Sequence, residues 1–340
     1  LEPELSPVPD AVLIGRLRRE YILPAQSAAY LDQPGGNLAY AAMSLLLWGG
    51  KPGLVSRVNQ NYPQEWLEKL EAKGSDIQGI HQSSEAFDDR FFAAYTENLQ
   101  AHHENPIAHF AERQLPFPQE LLGYKPTIPV YCSKTDYRAD SIRITDVPSH
   151  YLESSAAHIA PIDFVSHKIL PSLLKGGLVQ TLSMRACNCY MDPIFWEEIR
   201  ALIADVTAFM MTEAQALKLF QGRSTDLWEI SEYLANYGPE YVLTHAKDNT
   251  VLIYSRLKRQ RWILPAYPTK VVDPTGAMDA FDAGFLINYR KDYDVVQAAL
   301  CGMVSASFCG EGSGPFFILE GLPELRQARL DVLSQHLMTL

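Results

Sequence analysis

The chain is short of positive charge: 29 Lys and Arg stand against 40 Asp and Glu, a formal net charge of −11 over 340 residues. Nucleic acids and anionic membrane surfaces select basic partners, so this balance argues against either as the main ligand. It leaves room for a local basic patch that binds phosphate. Cysteine is scarce and odd in number, five in all, which does not make a disulfide framework. Cys187-Asn188-Cys189 is spaced too closely for a zinc knuckle, and no second pair accompanies it. The expectation is buried free thiols in a reducing compartment. No apolar run approaches the roughly 20 residues of a membrane-spanning helix. Leu1 to Asp10 is acidic and Pro-rich, without the basic and apolar regions of a signal peptide. These absences predict a cytoplasmic protein with neither a membrane nor a nucleic-acid partner.

Two nucleotide fingerprints are missing as well. No G-x-G-x-x-G follows the first predicted strand, where a nicotinamide-dependent dehydrogenase would carry it. No G-x-x-x-x-G-K-[ST] occurs, which speaks against a P-loop enzyme.

What is present describes a globular chain with a sizeable core, at 47% hydrophobic and 20% charged residues. Ala11 to Gly15 reads as a buried strand and Glu20 to Ala25 as a second, half-exposed one. Asn37 to Trp48 reads as a buried helix closed by Gly49-Gly50, and Pro63 to Lys73 as another ended by Gly74. Ser83 to Tyr151 is the least regular part, with one strand candidate at Phe91 to Tyr95. Its histidines, His102, His103 and His109, lack a carboxylate or Cys at ligand spacing and do not read as a metal site. From Leu178 strand and helix alternate, with Asp192-Pro193 and Thr212 as helix-start signals. Such alternation over more than 150 residues implies an α/β fold: a mostly parallel, Rossmann-like sheet flanked by helices.

The most informative stretch runs from Val272 to Phe285, V-D-P-T-G-A-M-D-A-F-D-A-G-F. It reads as a strand end, a Gly turn and a helix with Asp279 in its first turn. A helix N-terminus offers unpaired N–H groups and a positive dipole end, a ready anion site. A carboxylate placed there suits phosphoryl transfer, taking a proton from an attacking hydroxyl.

This segment resembles the D-T-x-G-A-G-D-x-F-x-x-G-F signature of the PfkB/ribokinase family of small-molecule kinases. Asp273, Thr275, Gly276, Ala277, Asp279, Phe281, Gly284 and Phe285 match; Met278 stands where the family has Gly. Weaker matches follow the family's order along most of the chain: Gly35-Gly36-Asn37, Asp192-Pro193, Thr212-Glu213-Ala214 and Tyr241 to Thr244. The resemblance implies a single ribokinase-like domain over 1–340 with a small β lid. The lid strands are expected within about 17–34 and 76–95, on Glu20 to Ala25 and Ile77 to His81. Residues 97–150 are expected to form an irregular insertion.

The resemblance also implies site roles. Asp279 would be the catalytic base, and the N–H groups of Gly276, Ala277 and Met278 an anion hole. Gly35, Gly36, Asn37 and Glu20 would hold the acceptor, with Glu20 standing where the family has Asp. Glu213 would support Mg²⁺ and phosphate, while Thr244 and Ala246 would border ATP. Asp273 and Thr275 fall where some relatives bind K⁺. The implied acceptor is a sugar or nucleoside, and homodimerisation occurs in many relatives. The departures at Met278, Met210, Ala246 and Asn249 motivate an alternative, a catalytically impaired homologue that binds ligand without efficient transfer.

Overall fold

The computed structural model describes residues 7–126 and 132–340. The chain enters through β1 (Ala11–Ile14), whose side chains alternate between two cores. Ala11 and Leu13 join one apolar cluster, Val12 and Ile14 the other. All four are fully buried, as expected of a strand covered on both faces. The chain then leaves the main sheet for β2 (Arg18–Leu23) and β3 (Tyr30–Gly35) and returns through α1 (Asn37–Leu47). Next come β4 (Pro52–Val58), α2 (Gln64–Ala72) and β5 (Asp76–Gln82). A second excursion supplies β6 (Arg90–Tyr95), β7 (Ala101–His102) and the short α3 (Pro106–Glu112).

The alternating half follows: β8 (Ala156–Ile159), α4 (Phe164–Gly176), β9 (Thr181–Arg185), α5 (Trp196–Ile203) and β10 (Ala208–Thr212). It continues with α6 (Glu213–Leu219), α7 (Leu227–Ala235) and the antiparallel trio β11 (Tyr241–His245), β12 (Val251–Ser255) and β13 (Gln260–Leu264). Then come α8 (Ala277–Asp292), α9 (Val295–Gly310), α10 (Pro323–His336) and β14 (Met338–Thr339). Local chemistry starts these helices. Asp163 accepts from Ser166 N–H at α4, and Thr212 with Gln215 forms a reciprocal capping box at α6. Asp192 caps a short 3₁₀ turn that runs into α5.

The main sheet has the order β14-β13-β12-β11-β10-β9-β8-β1-β4-β5, parallel from β11 to β5. The chain builds outward from β1 in both directions, so the strand order reverses between β1 and β8. In such sheets ligands bind outside the carboxyl ends of the strands at that switch point. Gly15 to Arg18 therefore leave β1 into the crevice, and Arg185 ends β9 at its rim.

The lid is a separate sheet of order β3-β2-β6-β7. The strand expected at Glu20 to Ala25 lies in it, as does Phe91 to Tyr95. The strand expected in the lid at Ile77 to His81 does not: β5 pairs in parallel with β4 at the edge of the main sheet. That reading is corrected. Alternation along a strand marks its faces but not its partners, and here the short α2 connection returns the chain beside β4. The expectation of free thiols is corrected too, since Cys132 and Cys189 are disulfide-bonded across 57 residues, while Cys187, Cys301 and Cys309 are free. A backbone bond from Cys132 N–H to the Cys189 carbonyl brings those segments together. Among the described residues no helix is long and apolar enough to cross a membrane.

Candidate active site

The site is built around the start of α8. Gly276 caps this helix at φ +77°, the left-handed region that favours glycine. A Cβ there would run into the Tyr40 ring, so the position is closed to side chains on two grounds. Met278 lies inside the regular helix and needs no special backbone. Ala277 N–H donates to the Pro274 carbonyl at 3.2 Å. The N–H groups of Gly276 and Met278 make no hydrogen bond among the described residues and remain available to an anion.

Asp279 sits in this first turn. Burial, and then the charge of Asp282, push its carboxyl up to about 7, against the pull of Arg185. Asp282 is fully buried one turn further on, and Arg185 grips it through Nε and Nη2. Arg185 Nη2 also donates to His245 Nε2 at 3.0 Å, and Nη1 lies 3.7 Å from Met278 Sδ. His245 is held neutral by burial and by Arg185. His158 approaches the same pair, 3.6 Å from Asp282, and the same two causes hold it down to about 3. Sequence reasoning missed this cluster. Its only signal was an Arg closing a buried strand and an Asp three residues beyond the candidate base.

A cavity of about 430 Å³ opens beside α8, within the usual range for small ligands. Glu213, Ala246, Ala277 and Met278 line it, with Phe281 and His245 behind them. Thr244 does not. It is fully buried, 3.4 Å from Ser231 of α7 on the other side of the sheet. The expectation that Thr244 borders the nucleotide is corrected: along β11 neighbouring side chains face opposite ways, and it is His245 that faces the cavity. Glu213 accepts from Lys247 N–H at 3.0 Å and lies 3.5 Å from its ammonium. It thereby ties α6 to the β11–β12 turn at the cavity wall.

On the lid side, Glu20 is buried and accepts from Gly36 N–H and Tyr40 O–H, both at 2.7 Å. Burial raises it to about 7, and the charges of Asp273 and Asp279 add to the rise. Gly35 packs against this carboxylate, where a Cβ would collide with it. Asn37 accepts from Arg16 N–H at 2.7 Å and donates to the Pro161 carbonyl at 2.9 Å. Its amide thus joins backbone segments on both sides instead of capping α1. Asp273 accepts from Thr275 N–H at 2.9 Å through Oδ1, while Oδ2 is buried without a hydrogen bond among the described residues. Burial pushes this carboxyl up, opposed by Thr275 and Ser313. The Thr275 hydroxyl bonds Tyr95 at 2.9 Å, so the lid touches the loop before α8. Tyr40 and Tyr95 also escaped the sequence reading, because each reaches the site from a distant element.

A mostly parallel sheet, a separate β lid at its switch point and a helix start with free N–H groups beside a carboxylate define a ribokinase-like fold. Residues 174–318 match the model of the pfkB family carbohydrate kinases. A cytidine kinase of Thermococcus kodakarensis is 25% identical over 304 residues, covering 87% of this chain and 94% of that one. The crystal structure of the Methanocaldococcus jannaschii nucleoside kinase aligns at TM-score 0.65 and 17% identity, covering 96% of this chain and all of the other. A fructokinase with bound ATP from Xylella fastidiosa aligns at TM-score 0.67 and 14% identity, covering 96% and 100%. The matched family model spans 145 of the 340 residues, the half that carries α8, and over nearly its whole length the chain has the ribokinase-like fold.

Proposed function

We propose that the protein transfers the terminal phosphoryl group of ATP to a hydroxyl of a sugar or nucleoside, with Asp279 as the base. The observation that carries this reading is the placement of Asp279 in the first turn of α8, beside the unpaired N–H groups of Gly276 and Met278. Asp279 would take the hydroxyl proton, a role worth roughly 10²–10⁴ in rate. Its pKa near 7 sits close to the optimum for that task. The N–H groups of Gly276 and Met278 would stabilise charge on the moving phosphoryl group, with Ala277 N–H directed to Pro274 until ligand binds.

The cavity suits a nucleotide: Ala246, Met278 and Phe281 offer apolar contact and Lys247 a positive charge. When bound, Mg·ATP would supply the phosphoryl group and offset its charge. Among the described residues no cluster of three or more His, Cys, Asp or Glu could hold a metal alone. The fit is therefore to Mg²⁺ arriving with the phosphates, which is how this ion is usually bound. The unpartnered Asp273 Oδ2 fits a monovalent cation such as K⁺.

The alternative, a ligand-binding homologue with impaired transfer, rests on Met278. The regular helix at that position keeps the N–H in place and favours the kinase. The deciding measurement is ADP release from Mg·ATP across sugars, polyols and nucleosides, with Asp279→Asn alongside. Turnover abolished in the variant supports the kinase. Ligand binding with no turnover in either protein supports the alternative.

A further inference from the structure

The two faces of the lid differ in chemistry. Arg19 and Tyr21 both bond Asp32, and Tyr21, Leu23, Phe92 and Ala94 pack with Phe110 and Leu121. The opposite face carries Ile22, Ala93 and Tyr95 and, by the period of two, Glu20 and Arg18. Glu20 and Tyr95 mark what this face meets, since they bond Gly36 and Thr275. Arg18 thus belongs to the side of the lid turned toward the α8 start, and Arg16 emerges from β1 at the switch point.

These two arginines share one carboxylate with a third. Asp140 Oδ2 lies 2.9 Å from Arg16 Nη2 and 3.9 Å from Arg18 Nη2, and its Oδ1 lies 3.0 Å from Arg138 Nε. Arg18 Nη1 donates to the Asp88 carbonyl at 2.9 Å, while Arg16 Nε is buried without a hydrogen bond among the described residues. Burial, and then the charge of Arg16, hold Arg18 down to about 10, against the pull of Asp140 and Asp89. The nearby carboxylates do not make up the deficit. Asp89 acts on Arg19 as well as Arg18, and Asp163 is engaged by the Ser141 hydroxyl and the start of α4. Arg138 is 36% exposed and leaves the cluster open to solvent. In a chain of net charge −11 this is a concentration of guanidinium against the overall balance. Guanidinium forks match the oxygens of phosphate and carboxylate. Glu20, the carboxylate in the same crevice, has both oxygens engaged by Gly36 and Tyr40, which disfavours recognition of a neutral polyol by that group alone.

We propose that Arg16, Arg18 and Arg138 form an anion subsite in the acceptor crevice. The molecule phosphorylated then carries an anionic group of its own, a phosphomonoester or a carboxylate, remote from the reacting hydroxyl. The location of the acceptor rests on the kinase reading above.

The test compares matched acceptors: fructose with fructose 6-phosphate, cytidine with its 5′-monophosphate, and glucose with gluconate. The expected result is a preference in kcat/KM of about 100-fold for the anionic member of at least one pair, the size of a desolvated charge pair. Which pair shows it separates phosphomonoester from carboxylate. Arg18→Gln and the more exposed Arg138→Gln should each shrink that ratio at least tenfold, mainly through KM, and Arg18→Lys should restore part of it. The same pairs are titrated calorimetrically into Asp279→Asn protein, a readout independent of turnover. Binding of the anionic member that the arginine variants abolish, with no turnover in wild type, upholds the subsite and defeats the kinase reading. Equal treatment of both members of every pair, preference for the neutral ones, or ratios unmoved by both arginine variants overturns the subsite. Turnover of neutral acceptors in that case leaves the kinase reading standing.

Discussion

Arg185 closes on Asp282 beneath the start of α8, one helical turn from Asp279. The pair is buried, with Arg185 3% and Asp282 0% exposed, and it sets the field in which Asp279 titrates. Asp282→Asn should remove a charge that raises the Asp279 carboxyl and leave Arg185, which lowers it, unopposed. The acid limb of the kcat–pH profile should therefore move to lower pH. Breaking one partner of a buried pair should also destabilise the fold by about 3–5 kcal/mol, measured by denaturant unfolding.

Asp279 itself should give a pH profile that rises through about 7, since only its deprotonated form accepts a proton. Its effect on stability runs the other way. The folded-state pKa lies above the ordinary value of about 3.9, so the native state binds the proton more tightly. Stability from this group is present at low pH and is lost as pH rises through about 7. Asp279→Asn should thus abolish turnover yet raise Tm relative to wild type at pH 8, with the difference shrinking toward pH 5. A variant less stable than wild type at pH 8 would contradict the raised carboxyl.

Gly276→Ala should fail on conformation and space together, given φ +77° and the Tyr40 ring. Displacing a helix-start donor costs on the order of 10²–10³ in kcat, and forcing the left-handed conformation adds about 1–2 kcal/mol of instability. In a double-mutant cycle with Tyr40→Ala, which by itself empties a buried ring site and frees Glu20 at a cost of about 3–5 kcal/mol, the two losses should fall short of additive because the clash is counted only once.

Met278→Gly is the opposite experiment. Residue 278 is already helical, so its N–H is in place with either side chain. Turnover should change by less than the 10² expected of a lost donor, and stability should fall by no more than about 1 kcal/mol. A gain of several hundredfold would mean that the Met side chain obstructs the site and would favour the impaired homologue as the natural state.

Much of this was legible without a structure because the decisive signals are local. A Gly turn followed by Asp279 in a first turn depends on a dozen consecutive residues, and so do the caps at Asp192 and Thr212. Strand–helix alternation after Leu178 likewise specifies a parallel sheet, because right-handed crossovers leave few other arrangements.

What the sequence determined by itself was the class of fold, the position of the anion-binding helix start and its carboxylate. Tertiary structure alone decided which strands share a sheet, so that β5 flanks β4 while β2, β3, β6 and β7 form the lid. It also decided that Tyr40 closes on Glu20, that Arg185 neutralises Asp282, and that Arg16, Arg18 and Arg138 converge on Asp140. Apart from Arg138 and Asp140, each of these partnerships joins residues at least 20 apart, where no periodicity links them. Their distances, and with them the burial and charge that tune the site, exist only once the chain has folded.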